Sequence, residues 1–208
     1  MPCNPSIGGP GKGHLVREID AVGGEMARNI DRTHIHNRML NTSKGPAVQA
    51  LRAQADKKQY QLKMKNTLEN TPNLFLKQAM VKNLIFNIDK IDLLKNRDKY
   101  ASNLSVRGIE TDTGETILSG AIVMTTGTFL NGKIHIGQKS FGGGRMGEKS
   151  ASGITEQLVE LGFESGRMKT GTPPRIDGRS LNYSAMIEQE GDQNPGKFSY
   201  ADTKPLQK

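Results

Sequence analysis

Cys3-Asn4-Pro5-Ser6-Ile7-Gly8-Gly9-Pro10-Gly11-Lys12-Gly13-His14 places the only cysteine of the chain ahead of a glycine run that leads directly into an amphipathic segment. Glycines let the backbone approach a ligand closely, a following helix points its free N–H groups back at the loop, and Lys12 adds a cation. The loop therefore suits an anion. Cys3 at its edge is the nucleophile candidate. The same residues also fit a glycine-rich turn beside an inert buried thiol.

Beyond the loop, Leu15, Val16, Ile19, Val22, Met26 and Ile30 recur at helical spacing and predict one helix ending near Asp31. Residues 47–70, rich in Ala, Gln, Lys and Leu, predict a second helix stopped by Asn70-Thr71-Pro72-Asn73. Short apolar runs at 74–76, 79–81 and 84–88 read as strands, and the charged, aperiodic 89–103 as an exposed insertion. Residues 106–110 and 116–118 flank the turn Asp112-Thr113-Gly114-Glu115 and predict a hairpin. Ala121-Ile122-Val123-Met124-Thr125 then reads as a fully buried strand ending in Thr126-Gly127. A strand follows at 134–136. The fold class is α/β.

Composition narrows the function. The 208 residues are 34% hydrophobic, with 29 Lys and Arg against 21 Asp and Glu, a net charge of +8. No apolar run reaches the length of a membrane span and no signal pattern opens the chain, so the expected address is the cytoplasm, or an organellar matrix in a eukaryote. One cysteine excludes an internal disulfide framework, and His14, His34, His36 and His135 lack metal-ligand spacing, so no metal is expected. The segment from Arg52 to Arg107 holds most of the excess positive charge, including Lys57, Lys58, Lys63, Lys65, Lys77 and Lys82. Such a stripe can neutralise RNA phosphates. It also fits a solvated helix face followed by a charged loop.

Two pattern matches fail on context. Gly142-Gly143-Gly144-Arg145-Met146-Gly147 satisfies G-x-G-x-x-G but opens no helix, and reads instead as a flexible loop with Arg145 available to a phosphate or acidic group. The Gly11-Lys12 pair lacks the Ser or Thr with which a P-loop holds magnesium. Nucleotide hydrolysis is not expected. The segment Arg167-Met168-Lys169-Thr170-Gly171-Thr172-Pro173-Pro174-Arg175 combines three cations and stiffening prolines, which suits a charged ligand or an ordinary strand-to-loop exit.

Five blocks taken in order resemble one family. They are Cys3-Asn4-Pro5-Ser6-Ile7-Gly8-Gly9, Leu40-Asn41-Thr42-Ser43-Lys44-Gly45-Pro46-Ala47-Val48, Leu51-Arg52-Ala53-Gln54-Ala55-Asp56, Thr126-Gly127-Thr128-Phe129-Leu130 and Lys169-Thr170-Gly171-Thr172-Pro173-Pro174-Arg175. The family is the GidA (MnmG) flavoenzymes, which modify tRNA wobble uridines. The resemblance implies a Rossmann-like FAD/NAD-binding domain fragment with an inserted β-rich or α+β segment. It assigns 1–137 to a partial FAD-binding domain and 138–208 to a flexible glycine-rich loop plus the start of the inserted substrate and NAD-side domain. It implies FAD contacts at Gly8, Gly9, Val81, Thr126, Gly127 and Ala151, although the family usually has Ser at the place of Ala151. Cys3 matches a proposed catalytic cysteine, and Lys12, Arg145, Lys169 and Arg175 fall where substrate or RNA would be met.

The same resemblance implies addition of the carboxymethylaminomethyl group at uridine C5, with NADH as reductant and methylene-tetrahydrofolate as one-carbon donor. A GTPase partner of the MnmE/TrmE type, tRNA and a homodimer are the implied partners. Rival readings are a folate- and FAD-dependent tRNA uracil-5-methyltransferase and a non-catalytic RNA-binding fragment. The family's dinucleotide finger, the first βαβ unit, would lie before Met1, so residues 1–208 alone are expected to bind FAD weakly and catalyse nothing. Flavin absorbance of the purified chain checks this: substoichiometric flavin is expected, and one flavin per chain would contradict it.

Overall fold

The computed structural model describes residues 4–88, 104–169, 171 and 176–203. Cys3, Arg175 and the expected insertion at 89–103 lie outside them. Helices and strands are mixed. All described pairings between named strands are antiparallel, and a single isolated bridge, Leu130 with Ala151, is parallel. The chain divides into two compact units, one formed by Met1–Leu76 with Gly171–Lys208 and the other by Lys77–Thr170.

The first unit holds β1 (Ser6–Gly8), α1 (Gly13–Ala21), α2 (Met26–Thr33), β2 (His34–Leu40), β3 (Ala50–Ala55) and α3 (Lys57–Glu69). The sheet order is β1-β3-β2. The single helix expected up to Asp31 is two. Gly23 takes φ +94°, and the Gly24 N–H returns to the Ile19 carbonyl at 2.9 Å, a glycine-based helix stop. The buried face also differs from the expected stripe: α1 buries Val16 and Asp20, while Leu15, Ile19 and Val22 are exposed.

The helix expected over 47–70 begins only at Lys57. Leu51, Ala53 and Ala55 are buried while Arg52 and Gln54 between them are half-exposed, a period of two that fits a strand with one covered face. Asp56 then starts the helix, its Oδ1 accepting from the Lys58 and Gln59 N–H groups at 3.0 Å each. Val16, Ala27, Ile30, Leu51, Ala53, Ala55 and Phe198 form the core, with Ile7, Met26, Met39 and Tyr60 packed against it. Burial pushes the Tyr60 phenol up, against a hydrogen bond from Asn29.

The second unit contains β4 (Val81–Phe86), β5 (Val106–Thr111), β6 (Thr116–Leu118), β7 (Lys133–Ile136), β8 (Lys139–Gly142) and α4 (Ile154–Glu160). The expected hairpin forms: β5 pairs with β6 across Gly114 at φ +82°. Of the strand expected over 84–88, residues 84–86 lie in β4 and 87–88 are bends beyond its end, whereas 74–76 and 79–80 are in no strand. The buried strand expected over 121–125 is also absent. Val123 is 87% and Met124 43% exposed, because a strand covered on both faces needs neighbours, and no described strand pairs with these residues.

The helix α4 docks on the free edge of β4. The Gln157 Oε1 accepts from the Leu84 N–H and its Nε2 donates to the Leu84 carbonyl, both at 2.7 Å. Gly153 makes the approach possible, since a Cβ there would lie 2.6 Å from the Lys82 carbonyl oxygen and its φ is +105°. At the same helix start, the Glu156 carboxylate accepts from the Gly153 N–H at 2.8 Å and from Asn131 Nδ2 at 2.7 Å.

Two outcomes follow from this packing. Phe198→Ala empties a site that is 1% exposed and should cost about 3–5 kcal/mol; a urea midpoint unchanged from wild type would contradict it. Asn131 and the backbone N–H groups hold the Glu156 carboxyl below its usual value. Its contribution is therefore present above the ordinary carboxylate range and lost as pH falls through the lowered folded value. The Gly153 amide resonance should move only in that acidic window, and Glu156→Gln should remove the movement.

Candidate functional site

In the first unit, the glycine loop is shaped by close packing before it meets any ligand. Gly8 ends β1 at φ +86°, and a Cβ on it would lie 2.2 Å from the Leu51 carbonyl oxygen and 2.7 Å from the Phe198 ring. The Gly9 N–H donates to that same Leu51 carbonyl at 2.8 Å, and its own carbonyl accepts from the Lys12 and Gly13 N–H groups at 3.0 and 2.8 Å. Gly9 is buried, whereas Lys12 is exposed at the start of α1. The backbone of Gly9 thus serves the fold, and the cation of Lys12 faces solvent beside it.

A half-exposed face of the β1-β3-β2 sheet adjoins this loop. Arg52 stands opposite Gly8 on one side and opposite Arg38 on the other. Its Nη2 donates to Ser6 Oγ at 3.4 Å. Arg38 and Arg52 are far apart in the sequence; only the strand register brings them together, and the period of two over 50–55 was the available signal.

In the second unit, four of the expected residues come together around Phe129. The Phe129 N–H donates to the Thr126 carbonyl at 3.2 Å, and its carbonyl accepts from the Ala151 N–H at 2.9 Å. Gly127 forms the turn at φ +59° with no atom near the position of a Cβ. Ala151 is buried, and its carbonyl accepts from the Asn131 N–H at 2.8 Å. Arg145 sits on the loop packed against this turn, where Thr128 Oγ1 donates to the Gly144 carbonyl at 2.9 Å, but its guanidinium is paired with Glu148. Val81 opens β4, one residue before the Lys82 carbonyl that Gly153 approaches.

The glycines at 142–144 have a packing role in this loop. A Cβ on Gly144 would lie 2.3 Å from the Phe129 ring, and the Gly143 N–H donates to the Gly132 carbonyl at 2.9 Å. Asn131, which sequence inspection missed, is a hub: it takes φ +46°, and its carbonyl accepts from Arg167 Nη1 and Nη2 at 3.3 and 3.2 Å. Lys169 is exposed two residues beyond that anchor. Asparagine tolerance of the left-handed region is the signal in Leu130-Asn131-Gly132.

Among the described residues no three His, Cys, Asp or Glu side chains are grouped to hold a metal ion. No described helix is long and apolar enough to cross a membrane.

The whole chain, residues 1–208, matches the family model described as glucose inhibited division protein A. It is 54% identical over 207 residues to the tRNA uridine 5-carboxymethylaminomethyl modification enzyme MnmG of Flavobacterium johnsoniae, covering 99% of this chain and 31% of the relative. The relative of the same name from Bacillus subtilis is 52% identical over 200 residues, 96% of this chain and 30% of its own length. Aquifex aeolicus GidA superposes with a TM-score of 0.81 at 46% identity, over 96% of this chain and 31% of that one. The chain therefore spans about a third of the length of the relatives it matches. A match from end to end, with the glycine loop and the Thr126-Gly127 turn set in a GidA-like backbone, leaves one conclusion: the chain belongs to the glucose inhibited division protein A (GidA) family.

Proposed function

We propose that this chain is part of an FAD-dependent enzyme that adds the carboxymethylaminomethyl group to C5 of tRNA wobble uridines. The observation carrying the proposal is the 54% identity, across 99% of this chain, to a relative with that activity in its name. A Rossmann-like FAD-binding domain over 1–137 and the start of an inserted substrate domain over 138–208 complete the reading, with the first βαβ finger supplied outside these residues. A GTPase of the MnmE/TrmE type, a homodimer and the cytoplasm belong to it as well.

The residues fit a flavin in a particular way. Gly127 offers an exposed, left-handed turn with open space where a side chain would stand, which lets a planar ring lie against the backbone. The N–H groups of Gly9 and Ala151 are already spent on Leu51 and Phe129, so these two would hold FAD by close approach, as would Gly8, Val81 and Thr126. Bound FAD supplies two-electron redox chemistry, with NADH as its reductant.

The uridine ring poses the chemical problem, because C5 is a poor nucleophile in the resting base. The Cys3 thiolate adds to C6, forming an S–C6 bond and moving the C5=C6 electron pair toward C5 and the O4 carbonyl. C5 then attacks the methylene carbon of an iminium formed by condensing the one-carbon unit of methylene-tetrahydrofolate with the amine of glycine. The glycine brings the nitrogen and carboxymethyl carbons of the added group, and the condensation releases tetrahydrofolate. Loss of the C5 proton restores the double bond and expels the thiolate. Lys12 and Lys169, both exposed cations, position the anionic substrate, joined by Arg175 and by Arg145 if it exchanges Glu148 for a phosphate.

Mass spectrometry of tRNA nucleosides tests the reading. Cells whose full-length gene product carries Cys3→Ser should lose the wobble carboxymethylaminomethyl group while the purified protein keeps its flavin. Retained modification would remove Cys3 from the chemistry, and a wild-type gene product yielding only 5-methyluridine would overturn the function.

A further inference from the structure

We propose that Arg38 and Arg52 form a two-arginine seat for one backbone phosphate of the RNA substrate, an inference that rests on the tRNA-modifying function proposed above. The two residues stand directly opposite one another in the antiparallel β2 and β3 pair, so their side chains leave the same face of the sheet about 5 Å apart at Cβ. Like charges in that register repel. Both residues are half-exposed, and neither takes part in an ion pair among the described residues.

The neighbours satisfy the pair only in part. Arg38 Nη1 donates to the Glu190 main-chain carbonyl at 3.3 Å, and Asp192 Oδ2 accepts from the neighbouring Met39 N–H at 2.7 Å. Arg52 Nη2 reaches Ser6 Oγ only at 3.4 Å, and Arg52 Nε is buried with no partner. A buried guanidinium N–H without an acceptor, on the same sheet face as a second arginine, suits an oxyanion. There is room beside Gly9, where a Cβ would meet only Arg52 Cδ, at 3.9 Å. A phosphodiester brings two unesterified oxygens, one for each planar fork. On a chain of net charge +8, such a contact positions the RNA and reads no base.

The test is the salt dependence of tRNA binding by the full-length gene product, with Arg38→Gln, Arg52→Gln, both together, and Arg52→Lys. Each Gln variant should bind tRNA roughly tenfold more weakly. The double variant should lower the slope of log K against log salt by about one, a single phosphate's worth. Arg52→Lys should keep the wild-type slope, and flavin content should match wild type throughout. A slope that falls by two separates the arginines onto different phosphates, and weaker binding at an unchanged slope reports damage to the fold; either result overturns the seat. Loss of flavin with tRNA binding intact would assign the pair to the dinucleotide and overturn it too. Wild-type protein that binds no tRNA removes the proposed function and the seat together, whereas wild-type binding untouched by the variants removes the seat alone.

Discussion

The Asp31 carboxylate accepts from the Phe198 N–H at 2.9 Å, the Ser199 N–H at 2.8 Å and Thr203 Oγ1 at 3.3 Å. Asp20 continues the clamp, taking Ser199 Oγ and the Tyr200 N–H at 2.8 Å each. Both aspartates are buried, at 4% and 6% exposure. A buried carboxylate is tolerated when its lone pairs are filled, and bonds to an ionised acceptor are stronger than neutral ones. These two residues therefore act as staples for a segment more than 160 positions away in sequence. Through them Phe198 reaches its place against Gly8 and the underside of β3. Loss of the Asp31 carboxylate would strand two main-chain donors and loss of the Asp20 carboxylate one main-chain donor and a buried hydroxyl, which explains why a short helix spends a core position on an acid.

That arrangement also defines what the sequence could and could not reveal. The turn Asp112-Thr113-Gly114-Glu115 was legible because a local left-handed glycine sets the hairpin by itself. The end of α3 at Asn70-Thr71-Pro72 was legible for the same local reason. The strand β3 was not: Ala50, Ala53, Gln54 and Ala55 are helix formers by composition, and only pairing with both β1 and β2 makes the weak alternation decisive. The buried face of α1 was hidden because its anchor is Asp20, and an apolar stripe seemed the natural inner face. The run at 121–125 is apolar on all sides, but apolar character selects burial only where something stands ready to cover it.

The candidate site was legible in its residues and obscure in their roles. Glycine at positions 8 and 9 suggests an anion cradle, and glycine at 143 and 144 a flexible loop, yet a cradle needs free N–H groups and a loop free space. The N–H groups of Gly9 and Gly143 are committed to Leu51 and Gly132, and the missing side chains of Gly8 and Gly144 instead admit the Phe198 and Phe129 rings. Sequence shows that the backbone must come close to something; it does not say whether that something is a ligand or the protein itself. Gly127 is the opposite case, a left-handed turn with open space beside it.

The same distinction separates the cations. Lys77 is paired with Glu115 and Arg145 with Glu148, so part of the basic excess is neutralised locally and adds little to binding. Arg38 and Arg52 gain their meaning from register, since a shift of one residue in β3 would turn Arg52 into the core and bring Leu51 or Ala53 to the open face. The clamp by Asp20 and Asp31 forbids that shift, because it fixes Phe198 against the face that Leu51 and Ala53 must fill. The two buried acids thus hold the two half-exposed arginines in place from the opposite side of the same sheet, and buried polar contacts are what keep its basic face turned outward.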